Sequence, residues 1–271
     1  AGRLVSFKLD TLSFSEFLGL KGKKLQEIRY DALLTEKEFF EFEFLDYLYK
    51  GAFPELVNEK DEEQIMRHMN ESVVKKIIYR DIPRIFDIKR RDLLFSLFKY
   101  ACDNSSNLFE IKNICNTFKA DYETVNNYLF YLQKSFLIDI SEVYSKSMAK
   151  RARRNKKIYV VHPSIAFALL GYRKDMLIEK ILGQYVESLF HSEFFWRDKH
   201  KNEVDIVMQT NPIKPIEVKY KNSITKGDLK GLLRFLDVFK LKNGLVITKD
   251  IFKIENIDNK SIEFIPAWYF S

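Results

Sequence analysis

An α+β chain of several domains is predicted by three observations. Apolar residues recur at helical spacing through most of residues 35–135. Two segments nearer the C-terminus, 203–209 and 213–220, alternate apolar with polar residues as strands do. Only nine Gly and six Pro occur in 271 residues, which favours long regular elements over irregular loops. With 46% hydrophobic residues, 24 Phe and 14 Tyr, the chain has apolar material for two or three domains and lacks the composition of a disordered segment.

In chain order, residues 4–9 read as a short extended stretch. Leu-Ser-Phe-Ser-Glu-Phe-Leu (12–18) follows, where Ser13 or Ser15 suits the N-cap of a short helix. Residues 35–87 are helical. Thr35 and Glu38 fit a capping box, and Phe39, Phe42 and Leu45 come at helical spacing. A turn at 49–54 leads to a helix over 62–79 whose apolar face carries Ile65, Met69, Val73 and Ile77. Residues 90–145 form a small module with helices over 92–102, 109–118 and from the Asp121 cap to 135. The short Lys119-Ala120 link suits a helix-turn-helix. A strand over 137–143 then pairs as a hairpin with one over 157–161, giving a winged-helix pattern. Helix 176–191, strands 193–197, 203–209 and 213–220, helix 226–240 and strand 244–248 make an α/β unit with a mixed sheet. The tail 262–269 reads as one more edge strand with a packed aromatic end. The domains expected are 1–88, 89–162 and 163–271.

The net charge of +7 and a pI near 9.1 favour a polyanionic partner. Residues 146–157 hold seven of the positive charges and no negative one: Lys146, Lys150, Arg151, Arg153, Arg154, Lys156 and Lys157. With Tyr122, Thr124, Asn126 and Asn127 near the start of the second helix of the helix-turn-helix, they make a candidate DNA surface. The helix residues suit base edges and phosphates, and the cations neutralise phosphate. The same loop also reads as a solvated wing or as a contact for an acidic protein. Cys102 and Cys115 are too few for a disulfide framework, lack metal-site spacing and read as buried reduced thiols of a cytoplasmic protein. His68, His162, His191 and His200 are scattered and read as structural or surface residues. No run reaches the length of a membrane helix, so no membrane partner is expected.

The chemistry concentrates on Glu187, Asp205, Glu217 and Lys219. Alternation along a strand sends Glu217 and Lys219 to one face, with Asp205 on the neighbouring strand. Mg²⁺ or Mn²⁺ takes oxygen ligands and keeps several waters, so Asp205 and Glu217 with a substrate phosphate suffice to bind it. The metal would polarise the phosphate and acidify a water. Lys219 would orient that water or stabilise the transition state's charge. Glu187 would ligate a second metal or its water shell, and Glu203, two residues before Asp205, is an extra candidate ligand. The helix Glu, Val-Asp and Glu-Val-Lys on an αβββαβ pattern, with Phe195-Trp196-Arg197-Asp198 just before Glu203, resemble the PD-(D/E)XK nuclease superfamily over residues 176–250. The resemblance implies a metal-dependent DNA endonuclease, or the inert version of the fold that some members keep.

A second resemblance spans nearly the whole chain. Ala-Gly-Arg-Leu-Val-Ser-Phe-Lys-Leu (1–9), the segment at 12–18 and Gly-Ala-Phe-Pro-Glu (51–55) are similar to archaeal and bacterial AAA-type P-loop ATPases, in which a helical lid, a winged helix and a nuclease-like domain follow the ATPase core. It implies that residues 1–88 are the last strand and lid of such an ATPase, with the core upstream. It also implies self-association or that core as partners, and ATP as cofactor only of a longer parent. This chain has no Gly-x-x-x-x-Gly-Lys-Ser/Thr loop and no acidic Walker B strand, so it is not expected to hydrolyse ATP alone. Arg3, or Arg80 beside Asp81, is a sensor or finger candidate in the parent, and a capping or ion-pair role is the plainer reading of both.

Overall fold

The structure is a computed structural model and describes residues 10–23, 36–145 and 155–270. The fold is α+β, with two mixed sheets among the described residues. Ser13 begins helix α1 (Phe14–Leu20) in a full capping box: its hydroxyl accepts from the Glu16 N–H, and its own N–H donates to the Glu16 carboxylate at 2.8 Å. Helix α2 (Lys37–Lys50) buries Phe40, Phe44, Tyr47 and Leu48, whereas Phe42 is exposed. Aromatic and apolar residues stand on nearly every face of this helix. Its spacing therefore could not choose the inward face, and packing against α1 and the helix over Pro163–Leu170 does. Thr35 lies outside the described residues.

Asp61 caps helix α3 (Glu62–Arg67), which continues as π-helical turns through His68–Lys75 and Ile77–Asp81 into α4 (Ile82–Ile85). The wider turn changes the phase. Ile65, Met69, Val74, Ile78 and Ile82 are buried at steps of four or five residues, while Val73 and Ile77, expected inside, are only half-buried.

The next module runs α5 (Arg91–Asp103), β1 (Leu108–Phe109), α6 (Ile111–Phe118), α7 (Tyr122–Lys134), β2 (Ile138–Val143) and β3 (Lys156–Val160). Lys119, at φ 49°, ends α6 in the left-handed region, and Asp121 caps α7 by accepting from the Thr124 N–H at 2.8 Å. Helices α8 (Pro163–Leu170) and α9 (Glu179–Phe190) lead into β4 (Phe194–Arg197), β5 (Glu203–Val204), β6 (Ile206–Met208) and β7 (Lys214–Lys219). Then come α10 (Lys230–Phe239), β8 (Asn243–Thr248), β9 (Lys253–Ile257), β10 (Lys260–Pro266) and α11 (Ala267–Phe270).

The sheets have strand orders β1-β3-β2-β4-β5 and β6-β7-β8-β10-β9. Strands β2 and β4 pair in parallel, Glu142 opposite Phe194, so the hairpin is continuous with the sheet of the C-terminal third. The single strand expected over 203–209 is two. It breaks at Asp205, and its halves end one sheet and begin the other. The tail strand β10 is interior, flanked by β8 and β9, and not the edge strand expected. The edge is β9, whose largely exposed residues carry no core-facing alternation to announce it. Beyond β10, Trp268 stacks on Phe40 of α2 at 5.0 Å, closing the C-terminus onto the N-terminal helices.

Gly231 lets α10 approach β5: a Cβ there would lie 1.8 Å from the Glu203 carbonyl oxygen. Gly231→Ala is expected to cost about 1–3 kcal/mol by overpacking, measured as a fall in the urea midpoint at unchanged m-value.

Candidate functional site

The candidate site lies where the two sheets meet, and a lysine is at its centre. Successive side chains of β3 alternate faces, so Lys156 and Lys157 point in opposite directions. Lys156 pairs with Glu142 on one face at 2.8 Å. On the other, the Lys157 ammonium, 2% exposed, lies 2.7 Å from Glu203, 2.8 Å from Glu187 and 3.3 Å from Asp205. The Tyr159 hydroxyl donates to Glu187 at 2.7 Å, and the His191 ring stacks on Tyr159 at 4.9 Å. Glu187 comes from α9, Glu203 from β5 and Asp205 from the strand break.

Strand β7 completes the cluster. The second oxygen of Asp205 accepts from the Val218 N–H at 2.9 Å and lies 3.9 Å from the Lys219 ammonium, which is 2.5 Å from Glu217 Oε1. Arg197 pairs with Glu203 across β4 and β5. Among the described residues, the buried Glu217 Oε2 has no hydrogen-bond partner. Glu187, Asp205, Glu217 and Lys219 are therefore gathered into one network, with Glu203 beside them. Lys157 is a correction: expected on a solvent-facing basic loop, it is enclosed by carboxylates because strand alternation turns it inward. Tyr159 was also missed, and Arg197 was read only as part of the segment before Glu203. The available signal was a Lys and a Tyr two residues apart on one face of a strand whose other face carries Ile158 and Val160 after Lys156.

Four carboxylates face three cations here, and burial raises the cost of every unbalanced charge. Burial pushes Glu187 up to about 7 and Glu217 up to about 8, each helped by the negative charge of Asp205. Burial would raise Asp205 as well, but Lys157 and Lys219 outweigh it and hold that carboxyl below its ordinary value. Burial alone would lower the two ammoniums. The surrounding carboxylates instead hold both above the usual lysine range. Asp205 is thus the fixed anion of the site, and Glu187 and Glu217 are the groups that take up protons near neutrality.

With Lys157 in this position, the carboxylates of Glu187, Glu203 and Asp205 direct oxygens at an ammonium. Among the described residues, no group of three or more His, Cys, Asp or Glu side chains stands in metal-binding geometry. The arrangement does not fit a divalent ion on Asp205, Glu217 and Glu187 as it stands.

The candidate DNA residues are divided. Tyr122 and Asn126 are exposed and Thr124 and Asn127 half-buried on α7, while Lys146, Lys150, Arg151, Arg153 and Arg154 lie outside the described residues, as does Arg3. Arg80 pairs with Asp81 at 2.7 Å on the surface. His162 is buried and caps α8, accepting from the Ser164 N–H at 3.2 Å. No helix among the described residues is long and apolar enough to cross a membrane.

Residues 41–175 match a domain of unknown function (DUF8612), and residues 176–270 match another (DUF4143), a domain found at the C-terminus of AAA-ATPase-like proteins. An uncharacterized protein of Haemophilus influenzae is 22% identical over 281 residues, covering 99% of this chain. The chain spans 65% of the length of that relative. No solved structure matches the chain.

Two outcomes follow from the network. Lys157→Met leaves buried carboxylates without their cation and is expected to cost about 3–5 kcal/mol in chemical denaturation. The second concerns pH. Glu187 and Glu217 have folded pKa values near 7 and 8, above the ordinary 4.5, so the folded chain binds more protons than the unfolded one across that interval. Stability from these groups is full below about pH 4.5 and declines as pH rises through 7 and 8. The melting temperature is expected to fall between pH 5.5 and 8.5, and Glu217→Gln to flatten that slope.

Proposed function

We propose that this chain is the DNA-engaging C-terminal part of a AAA-type ATPase, in which a winged helix and a PD-(D/E)XK nuclease-like fold share one sheet. We further propose that the nuclease-like site is kept as an internal ion-pair network instead of a hydrolytic centre. The observation that carries this is the Lys157 ammonium within 3.3 Å of three carboxylates. An ammonium there neutralises the charge that a divalent ion would neutralise, but supplies neither Lewis acidity nor an acidified water. The winged-helix reading is supported by the order α5-β1-α6-α7-β2-β3, with β3 between β1 and β2. The basic segment joining β2 to β3 gives the affinity for a polyanion. The ATPase parentage is supported by the C-terminal match and by the greater length of the Haemophilus influenzae relative.

A second reading is favoured by one atom, the buried Glu217 Oε2, which has no partner among the described residues. In a metal-dependent nuclease, a Mg²⁺ or Mn²⁺ ion that displaced Lys157 would be held by Asp205, Glu217 and Glu187 and would polarise the scissile phosphate. Lys219, already paired with Glu217, would face the developing charge.

The deciding experiment incubates labelled single-stranded, duplex and branched DNA with the chain and Mg²⁺ or Mn²⁺, beside Asp205→Ala and Lys219→Ala. The expected outcome is binding without cleavage, with affinity falling at least tenfold between 50 and 200 mM salt, since each neutralised phosphate adds to the salt slope. Cleavage by the parent that disappears in both variants would replace the inert site with the nuclease.

A further inference from the structure

On the sheet face opposite the ion network lies a cleft of about 800 Å³, within the range of ligand pockets. Strands β1, β2 and β4 floor it with Phe109, Ile140 and Phe194, helix α7 forms one wall, and Glu193 and Gln209 stand at another. Four amide residues line it: Asn126, Asn127 and Gln133 from α7, and Gln209 from just beyond β6. No hydrogen bond ties any of these four side-chain amides to another described residue. A carboxamide donates and accepts at once, as a nucleobase edge does. Beside them the Phe130 ring is 45% exposed, with the Lys134 ammonium 5.4 Å from its centroid. An aromatic face open to solvent next to a cation is a platform on which a base stacks.

Charge decides which part of a nucleotide enters. Among the described residues that line the cleft, the charged ones are Glu142, Glu193 and Lys156, and Lys156 is already paired with Glu142 at 2.8 Å. Phosphate is repelled from such a recess, whereas neutral rings with polar edges are not. Bases inside a duplex are stacked and paired, and only unpaired or extruded bases reach into a recess. We propose that this cleft binds unpaired bases of a nucleic-acid strand, amide side chains reading their edges and Phe130 stacking on one of them, with the phosphates left outside. The proposal rests on the nucleic-acid reading above and narrows its partner to single-stranded segments.

The test is fluorescence anisotropy with a labelled 12-nucleotide single strand and the matching duplex, using the parent chain, Asn127→Ala, Phe130→Ala and Phe130→Trp, each checked for an unchanged thermal melt. Expected are tighter binding of the single strand and roughly a five- to hundredfold loss of it in Phe130→Ala, with duplex affinity unmoved. Phe130→Trp should retain binding, and its fluorescence should be quenched when the strand is added. Single-strand binding that is equal in the parent and all variants, with no quenching, overturns the cleft but leaves the nucleic-acid reading standing. Failure of both DNAs to bind at low salt removes that reading and the cleft proposal with it. Variant-sensitive binding of a neutral extended peptide, with no oligonucleotide bound, overturns the proposal in favour of a protein partner.

Discussion

The arrangement of the C-terminal half depends on one buried cation. The Lys157 ammonium is removed from water, a state that is tolerated only when the compensating charges are close and well directed. Those charges arrive from α9, from β5 and from the break between β5 and β6, so a single side chain fixes three elements against β3. Lys219 does the same for β7 through Asp205 and Glu217. The hydrophobic clusters around α10 and beneath α9 supply the driving force for burial, but they are non-directional. The ion network determines which carboxylates meet.

Asp205 owes its position to a discontinuity. A continuous strand from Glu203 to Met208 would send alternate side chains to opposite faces and keep both halves in one sheet. The break lets Glu203 pair with Arg197 in the first sheet while Ile206 pairs with Ile216 in the second. Asp205 at the seam then reaches Lys157 on one side and the Val218 amide on the other. Close packing of α10 through Gly231 against the Glu203 carbonyl holds the seam in place.

Much of this was legible in the chain. The alternation that placed Glu217 and Lys219 together needed only the period of a strand, and the Asp121 cap and the short link after Phe118 located α7. The helix over 62–79 was found, but not its phase, because a π-helical turn shares its local composition with an α-helical one and differs only in the spacing of what is buried. Phe40 and Phe44 were hidden among apolar neighbours on every face of α2. Lys157 was misjudged for another reason. Its neighbours Lys150, Arg151, Arg153, Arg154 and Lys156 make a run of like charge, and a run conceals the member whose side chain turns inward.

The order of the residues along the chain has a consequence for how the protein is made. Lys157 leaves the ribosome 30 residues before Glu187 and 48 before Asp205. Translation at about 5–20 residues per second separates these events by seconds. Until Glu187, Glu203 and Asp205 emerge, Lys157 on the inner face of the β2–β3 hairpin lacks the carboxylates it pairs with in the folded chain. The segment matched by the first family is synthesised first but completes its sheet only with residues of the second. Completion of that sheet therefore waits on strands synthesised after the first segment.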